Sequence, residues 1–174
     1  SYAAPTAEEV QARRAALAPF DTLNERVWLA WYATVLVWQG MPESYLDLGS
    51  GTGAMVNMAR RLGIDAYGVD VINGPEHWFI RHDLTIPLWL DDRHGFQLQR
   101  HTFDLISCLE VAEHLPEAAA DTLCESIARH MRPESLLVFS AAAPGQGGEH
   151  HHNLQPAWYW RTKFHKLGVS YRED

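Results

Sequence analysis

The sequence predicts an α/β fold: a doubly wound, mostly parallel, Rossmann-like sheet with helices on both faces, preceded by N-terminal helices. Three observations predict it. After Gly40, short apolar runs alternate with helical segments, the pattern of parallel strands joined by crossover helices. A glycine-rich stretch, Gly49-Ser50-Gly51-Thr52-Gly53, leads from the first of those runs into the first of those helices. The length of 174 residues supplies one core and too little chain for two full domains. The chain therefore reads as a single domain, with residues 1–40 as a helical segment and 41–174 as the core.

Taken in order, Thr6 to Ala18 and Leu23 to Gln39 favour helix, with Pro19 and Asp21 punctuating the gap. Trp28, Trp31, Tyr32, Val35 and Leu36 recur at helical spacing and read as a packing face. Strands are expected at Tyr45 to Leu48, Ala66 to Val69, Trp78 to Arg81, Phe103 to Cys108, Leu136 to Ser140 and Val169 to Arg172. Helices are expected at Ala54 to Leu62, at Glu117 to Arg132 after Pro116, and at Pro156 to Leu167, with Gly168 placed to cap the last. Thr85 to Thr102 shows little periodicity and reads as a long surface connection.

Composition excludes several classes of function. The formal net charge of −8 opposes non-specific binding to a phosphate backbone. The most apolar stretch, Val27 to Trp38, is well short of the ~20 residues a membrane crossing needs, and no signal sequence opens the chain. Cys108 and Cys124 form neither a disulfide framework nor a zinc ribbon, so a cytoplasmic protein with reduced, structural thiols is expected. The oligomeric state is left open.

The glycine stretch turns a strand into a helix N-terminus, where backbone N–H groups attract an anionic group. Asp47 lies between leucines in a buried strand, where an unpaired carboxylate is costly, so it should accept hydrogen bonds from the loop. Asp70 ends the next strand, where an acid in this fold grips the two hydroxyls of a ribose. The same glycines satisfy a relaxed dinucleotide fingerprint, so a nicotinamide enzyme fits this stretch as well.

Further motifs favour a different cofactor. Asp47-Leu48-Gly49-Ser50-Gly51-Thr52-Gly53, His82-Asp83-Leu84 and Phe103-Asp104-Leu105-Ile106-Ser107-Cys108-Leu109-Glu110 follow one another at strand ends. Together they resemble the class I S-adenosylmethionine-dependent methyltransferases of the small-molecule type, from about Tyr45 to Leu167. The resemblance implies that Asp47, Gly49, Ser50, Gly51 and Gly53 surround the methionine end of S-adenosylmethionine. It implies that Asp70 holds the ribose, with Val71 beside it, that Asp83 and Leu84 read adenine, and that Leu109 offers a carbonyl to the methionine amine. S-adenosylhomocysteine would be the product. The family usually closes its sheet with a two-stranded hairpin, and Val169 to Arg172 supplies one strand of it, so the sheet is expected to be truncated or completed by a neighbour.

The methyl acceptor should meet the loops after the fourth and fifth strands, which are neighbours in the family's strand order. The first carries Glu110-Val111-Ala112-Glu113-His114, and a helical turn there puts Glu110, Glu113 and His114 on one face. The second, Pro144 to Gln155, ends in His150-His151-His152-Asn153. His114 and His151 are the candidate general bases for a small hydroxyl or amine acceptor. The same groups suit a divalent metal, and E-x-x-E-H with a downstream His resembles the metal site of small-RNA 2′-O-methyltransferases acting on a ribose diol. A solvated histidine cluster and a catalytically silent cofactor-binding module are the remaining alternatives. The run His151 to Trp160 resembles an H-x-N-x-Q-P-x-x-Y-W segment of methyltransferases whose substrate is unassigned. His77, His94, His101, His130 and His165 read as surface or packing residues.

Overall fold

The computed structural model describes residues 42–72, 74, 76–90 and 101–172. The two helices expected at Thr6 to Ala18 and Leu23 to Gln39, the aromatic stripe expected on the second and His94 lie outside these residues. The chain divides into two compact units, one running to Asp83 and the other starting at Leu84.

In the first unit, β1 (Ser44–Leu48) pairs in parallel with β2 (Asp65–Asp70), and β2 with β3 (Phe79–Arg81). The crossover from β1 to β2 is α1 (Ala54–Arg61). Every residue of β1 is buried, as in a strand covered on both faces, Ser44 and Asp47 included. Met55, Val56 and Ala59 form the buried stripe of α1 at helical spacing. Arg60 ties the unit together: it donates to the Ala66 carbonyl at 2.7 Å, and its guanidinium lies 4.3 Å from the Trp78 ring centroid.

The second unit is built on β4 (Leu105–Leu109) and β5 (Leu136–Ser140), parallel and in register from Leu105 with Leu136 to Leu109 with Ser140. Between them, a 3₁₀ turn at Glu117–Ala119 runs into α2 (Ala120–Arg129), which buries Leu123, Cys124 and Ile127. After β5 comes α3 (Ala157–Lys166), whose Trp160 and Phe164 rings stand 5.3 and 5.1 Å from the Phe139 ring centroid. Burial pushes the Cys124 thiol up to about 12, so it stays a packed, inert thiol, as expected.

Two expectations are corrected. Val169 to Arg172 is no strand: α3 ends at Gly168 with φ +82°, and Tyr171 folds back so that the Arg161 guanidinium lies 3.6 Å from its ring centroid. The Thr85 to Thr102 segment is no mere surface connection where it is described, because Leu88 and Leu90 are each only 1% exposed. Their backbone N–H groups donate to Ser126 Oγ at 3.0 Å and to His130 Nε2 at 3.3 Å.

That second bond fixes the chemistry of His130. Its Nε2 accepts from Leu90, and its Nδ1 lies 2.6 Å from the Ser126 carbonyl, so the proton sits on Nδ1 and the buried ring is neutral. Burial holds its pKa below the ordinary 6.5, with Arg129 and His101 adding to the shift against the Ser126 carbonyl. The unfolded chain then takes up this proton more readily than the folded one. The stability from neutral His130 is complete above pH 6.5 and is lost as pH falls through the window below it. Denaturant midpoints measured from pH 7.5 down to pH 5 should fall, and the fall should be shallower in His130→Gln.

Candidate active site

In the first unit, the glycine turn follows β1. Gly49, Gly51 and Gly53 adopt φ of +79°, +55° and +80°, a region that L side chains rarely enter. The turn is sewn to β2 by N–H groups of Gly49 and Ser50, which donate to the Val69 carbonyl at 2.7 and 3.2 Å. Ser50 leans on Gly68 of β2, where a β-carbon would overlap its side chain. Asp47 is buried, 6% exposed, in the middle of the strand that feeds the turn.

Asp70 closes the turn from the end of β2. One carboxylate oxygen accepts the Gly51 N–H and the other the Ile72 N–H, both at 2.9 Å. A carboxylate oxygen carries two lone pairs, so each can accept from more than one donor. Val71 and Asp83 are half-buried in the same unit. Sequence reasoning missed Phe79, whose ring lies where a β-carbon on Gly53 or Gly74 would fall. A position opening a three-residue strand carries no motif to mark it.

In the second unit, Leu84 is buried and Leu109 is the half-buried last residue of β4. Beyond β4 the expected helical turn is a 3₁₀ turn, Ala112–His114, and Glu110 stands before it. Glu110 has φ +54°, uncommon for a residue with a side chain. Ser140, which ends β5 opposite Leu109, bonds Glu110 twice. The Ser140 hydroxyl donates to Glu110 Oε1 at 2.7 Å, while the Ser140 carbonyl accepts the Glu110 N–H at 3.1 Å. Ser140 was missed because a strand-ending serine has no spacing signal.

The two loops meet, as expected. His152 and Asn153 donate their N–H groups to the Glu113 carbonyl at 2.7 and 3.0 Å, and the rings of His114 and His151 sit edge to face 4.9 Å apart. Glu113 is completely buried, and its Oε1 accepts the Ala142 N–H at 3.2 Å. Burial raises the Glu113 pKa, and the Glu110 carboxylate adds to the rise, against backbone hydrogen bonds that lower it. A carboxylate oxygen of Glu113 and one ring nitrogen each of His114 and His151 lie within 4.8 Å of one another. Gly148 leaves room for this, since a β-carbon there would overlap the His151 imidazole. Of the remaining histidines, His77, His101 and His165 are exposed and His130 is buried.

No described helix is long and apolar enough to cross a membrane. No curated protein matches the chain significantly. A methyltransferase-domain family profile matches residues 20–172. Among solved structures, a SAM-dependent methyltransferase of Archaeoglobus fulgidus is similar at TM-score 0.60 and 16% identity, over 83% of this chain and 68% of that one. The 1,6-didemethyltoxoflavin-N1-methyltransferase of Burkholderia thailandensis, with 1,6-didemethyltoxoflavin and S-adenosylhomocysteine bound, is similar at 0.59 and 16% identity, over 98% and 82%. A Haloferax volcanii methyltransferase in complex with the Trm112 methyltransferase activator is similar at 0.62 and 17% identity, over 95% and 78%. At these identities the structural likeness is one of fold. The family profile spans most of the chain, and it decides between the two cofactors that the glycine turn alone leaves open. The chain belongs to the methyltransferase-domain family, as an α/β enzyme dependent on S-adenosylmethionine.

Proposed function

We propose that this chain transfers the methyl group of S-adenosylmethionine to an oxygen or nitrogen atom of a small-molecule acceptor. The family match, residues 20–172, extends over most of both compact units, and we read them as one methyltransferase domain. The observation that carries the reading is the Asp70 carboxylate at the end of β2, fixed beside the glycine turn by the Gly51 and Ile72 N–H groups, a charged acceptor of the kind that holds a ribose diol. In this reading Asp47, Gly49, Ser50, Gly51 and Gly53 surround the methionine end. Val71 stands beside the ribose-holding Asp70, Asp83 and Leu84 read the adenine, and the Leu109 carbonyl takes the methionine amine.

The sulfonium is already a strong electrophile, so what remains for the protein is to align the acceptor and remove its proton. The meeting point of the two loops supplies groups for that, with His114 and His151 as the residues on which turnover depends. A small acceptor agrees with the net charge of −8, which repels nucleic acid. It also agrees with the Burkholderia relative, whose structure holds a small molecule with the spent cofactor.

The test is transfer of label from methyl-labelled S-adenosylmethionine to a panel of small phenols, alcohols and heteroaromatic amines. At least one class should gain label in step with S-adenosylhomocysteine release. Cofactor binding without label transfer to any of them, alongside label transfer to RNA, would replace the small acceptor with a nucleic-acid one.

A further inference from the structure

We propose that Glu113, His114 and His151 form a binding site for a divalent first-row transition-metal ion that takes the acceptor oxygen directly. This inference rests on the methyltransferase reading above and specifies how its acceptor end works. Three ligand atoms, one from each residue, lie within 4.8 Å of one another. Ligands about 2.1 Å from a common ion stand up to ~4 Å apart, so a small closure of the loops brings them onto one ion.

The hydrogen bonding argues for a ligand there. Glu113 is completely buried, yet its Oε2 has no hydrogen-bond partner, and neither does the buried Nδ1 of His151. A buried carboxylate oxygen and a buried imidazole nitrogen left unpaired are each costly, and one cation satisfies both. The surroundings orient the ligands as supporting hydrogen bonds do in metal sites. The Ala142 N–H holds the other Glu113 oxygen at 3.2 Å. His114 Nδ1 lies 3.2 Å from the His150 carbonyl, a bond that puts the proton on Nδ1 and orients the ring. His150, which supplies that carbonyl, has φ +62°, uncommon for a residue with a side chain. Glu110, set in place by Ser140, adds a second negative charge beside Glu113.

The donor set selects the ion. Two imidazole nitrogens and one carboxylate suit zinc, cobalt, manganese or iron, whereas magnesium and calcium take oxygen ligands almost alone. Three protein ligands leave positions open for an acceptor. A hydroxyl bound there loses its proton to water, because the ion lowers its pKa, and its oxygen keeps further lone pairs for attack. An amine would spend its single lone pair on the ion, so the acceptor is a hydroxyl compound. That oxygen forms a bond to the methyl carbon, the carbon–sulfur bond breaks with its electron pair staying on sulfur, and S-adenosylhomocysteine leaves. With the ion bound, both imidazoles serve as ligands, and the bound hydroxyl supplies the proton that is lost.

The experiment is a titration of the full chain with cobalt(II), followed by visible absorption, with S-adenosylhomocysteine titrated into the same preparation. The expected result is one equivalent of cobalt with a ligand-field band, unaffected by equimolar magnesium. His114→Ala, His151→Ala and Glu113→Gln should each weaken cobalt binding at least tenfold while S-adenosylhomocysteine affinity holds. His151→Ala keeps the test open should Glu113→Gln, at a buried position, fail to fold. Wild type that binds S-adenosylhomocysteine but no cobalt overturns the metal site and leaves the methyltransferase reading standing, as does equal cobalt binding by both His variants. Failure to bind S-adenosylhomocysteine overturns both.

Discussion

Replacing His151 or His114 with Ala should lower turnover by about a hundredfold or more, with S-adenosylhomocysteine affinity nearly unchanged. The size follows from what is lost at the acceptor. Without these imidazoles the hydroxyl enters the reaction protonated, and neither solvent nor the fully buried Glu113 replaces them. The split between the two readouts follows from placement, since both rings sit on the loops after β4 and β5 and neither belongs to the glycine turn. Turnover in both variants equal to wild type would make the histidines a solvated cluster. Gly148→Val should reproduce part of the loss, because any β-carbon at that position displaces the His151 ring.

Asp70→Ala should cost cofactor affinity of about 1.5 to 3 kcal/mol, or roughly tenfold to more than a hundredfold in Kd. Two effects combine in it. The ribose loses its charge-assisted acceptor, and the Gly51 and Ile72 N–H groups lose the carboxylate that holds them at 2.9 Å. Asp70→Asn separates the two, because an amide oxygen still accepts one backbone N–H while the charge is gone. It should fall between wild type and Asp70→Ala in a calorimetric titration. An unchanged Kd in both variants would remove Asp70 from the site.

The parts of the fold legible in the sequence are those where local pattern and burial agree. β5 was readable to the residue because Leu136 to Ser140 stands between Pro133 and Pro144, with no competing periodicity. The glycine turn was readable because positive φ at Gly49, Gly51 and Gly53 demands that residue type. Leu88 and Leu90 were not, since two apolar residues flanking Trp89 between Pro87 and Asp91 give no period. They are buried by contacts with Ser126 and His130, about forty residues away in the chain. Val169 to Arg172 was overread for the converse reason: alternation alone makes no strand when the Arg161–Tyr171 pairing turns the segment back onto its helix. At the acceptor end the residue types were legible and their arrangement was not. E-x-x-E-H suggested a helical turn, whereas a 3₁₀ turn groups Glu113 and His114 with His151, and Glu110 stands before it, beside Glu113 and bonded to Ser140.

The central claim is that the glycine turn and Asp70 bind S-adenosylmethionine, and thermal unfolding with added nucleotide tests it most directly. S-adenosylhomocysteine at a hundredfold excess over its Kd should add about 2.7 kcal/mol of stability and raise Tm accordingly, and NAD at the same concentration should leave Tm where it was. A Tm raised by NAD and unmoved by S-adenosylhomocysteine would contradict the account.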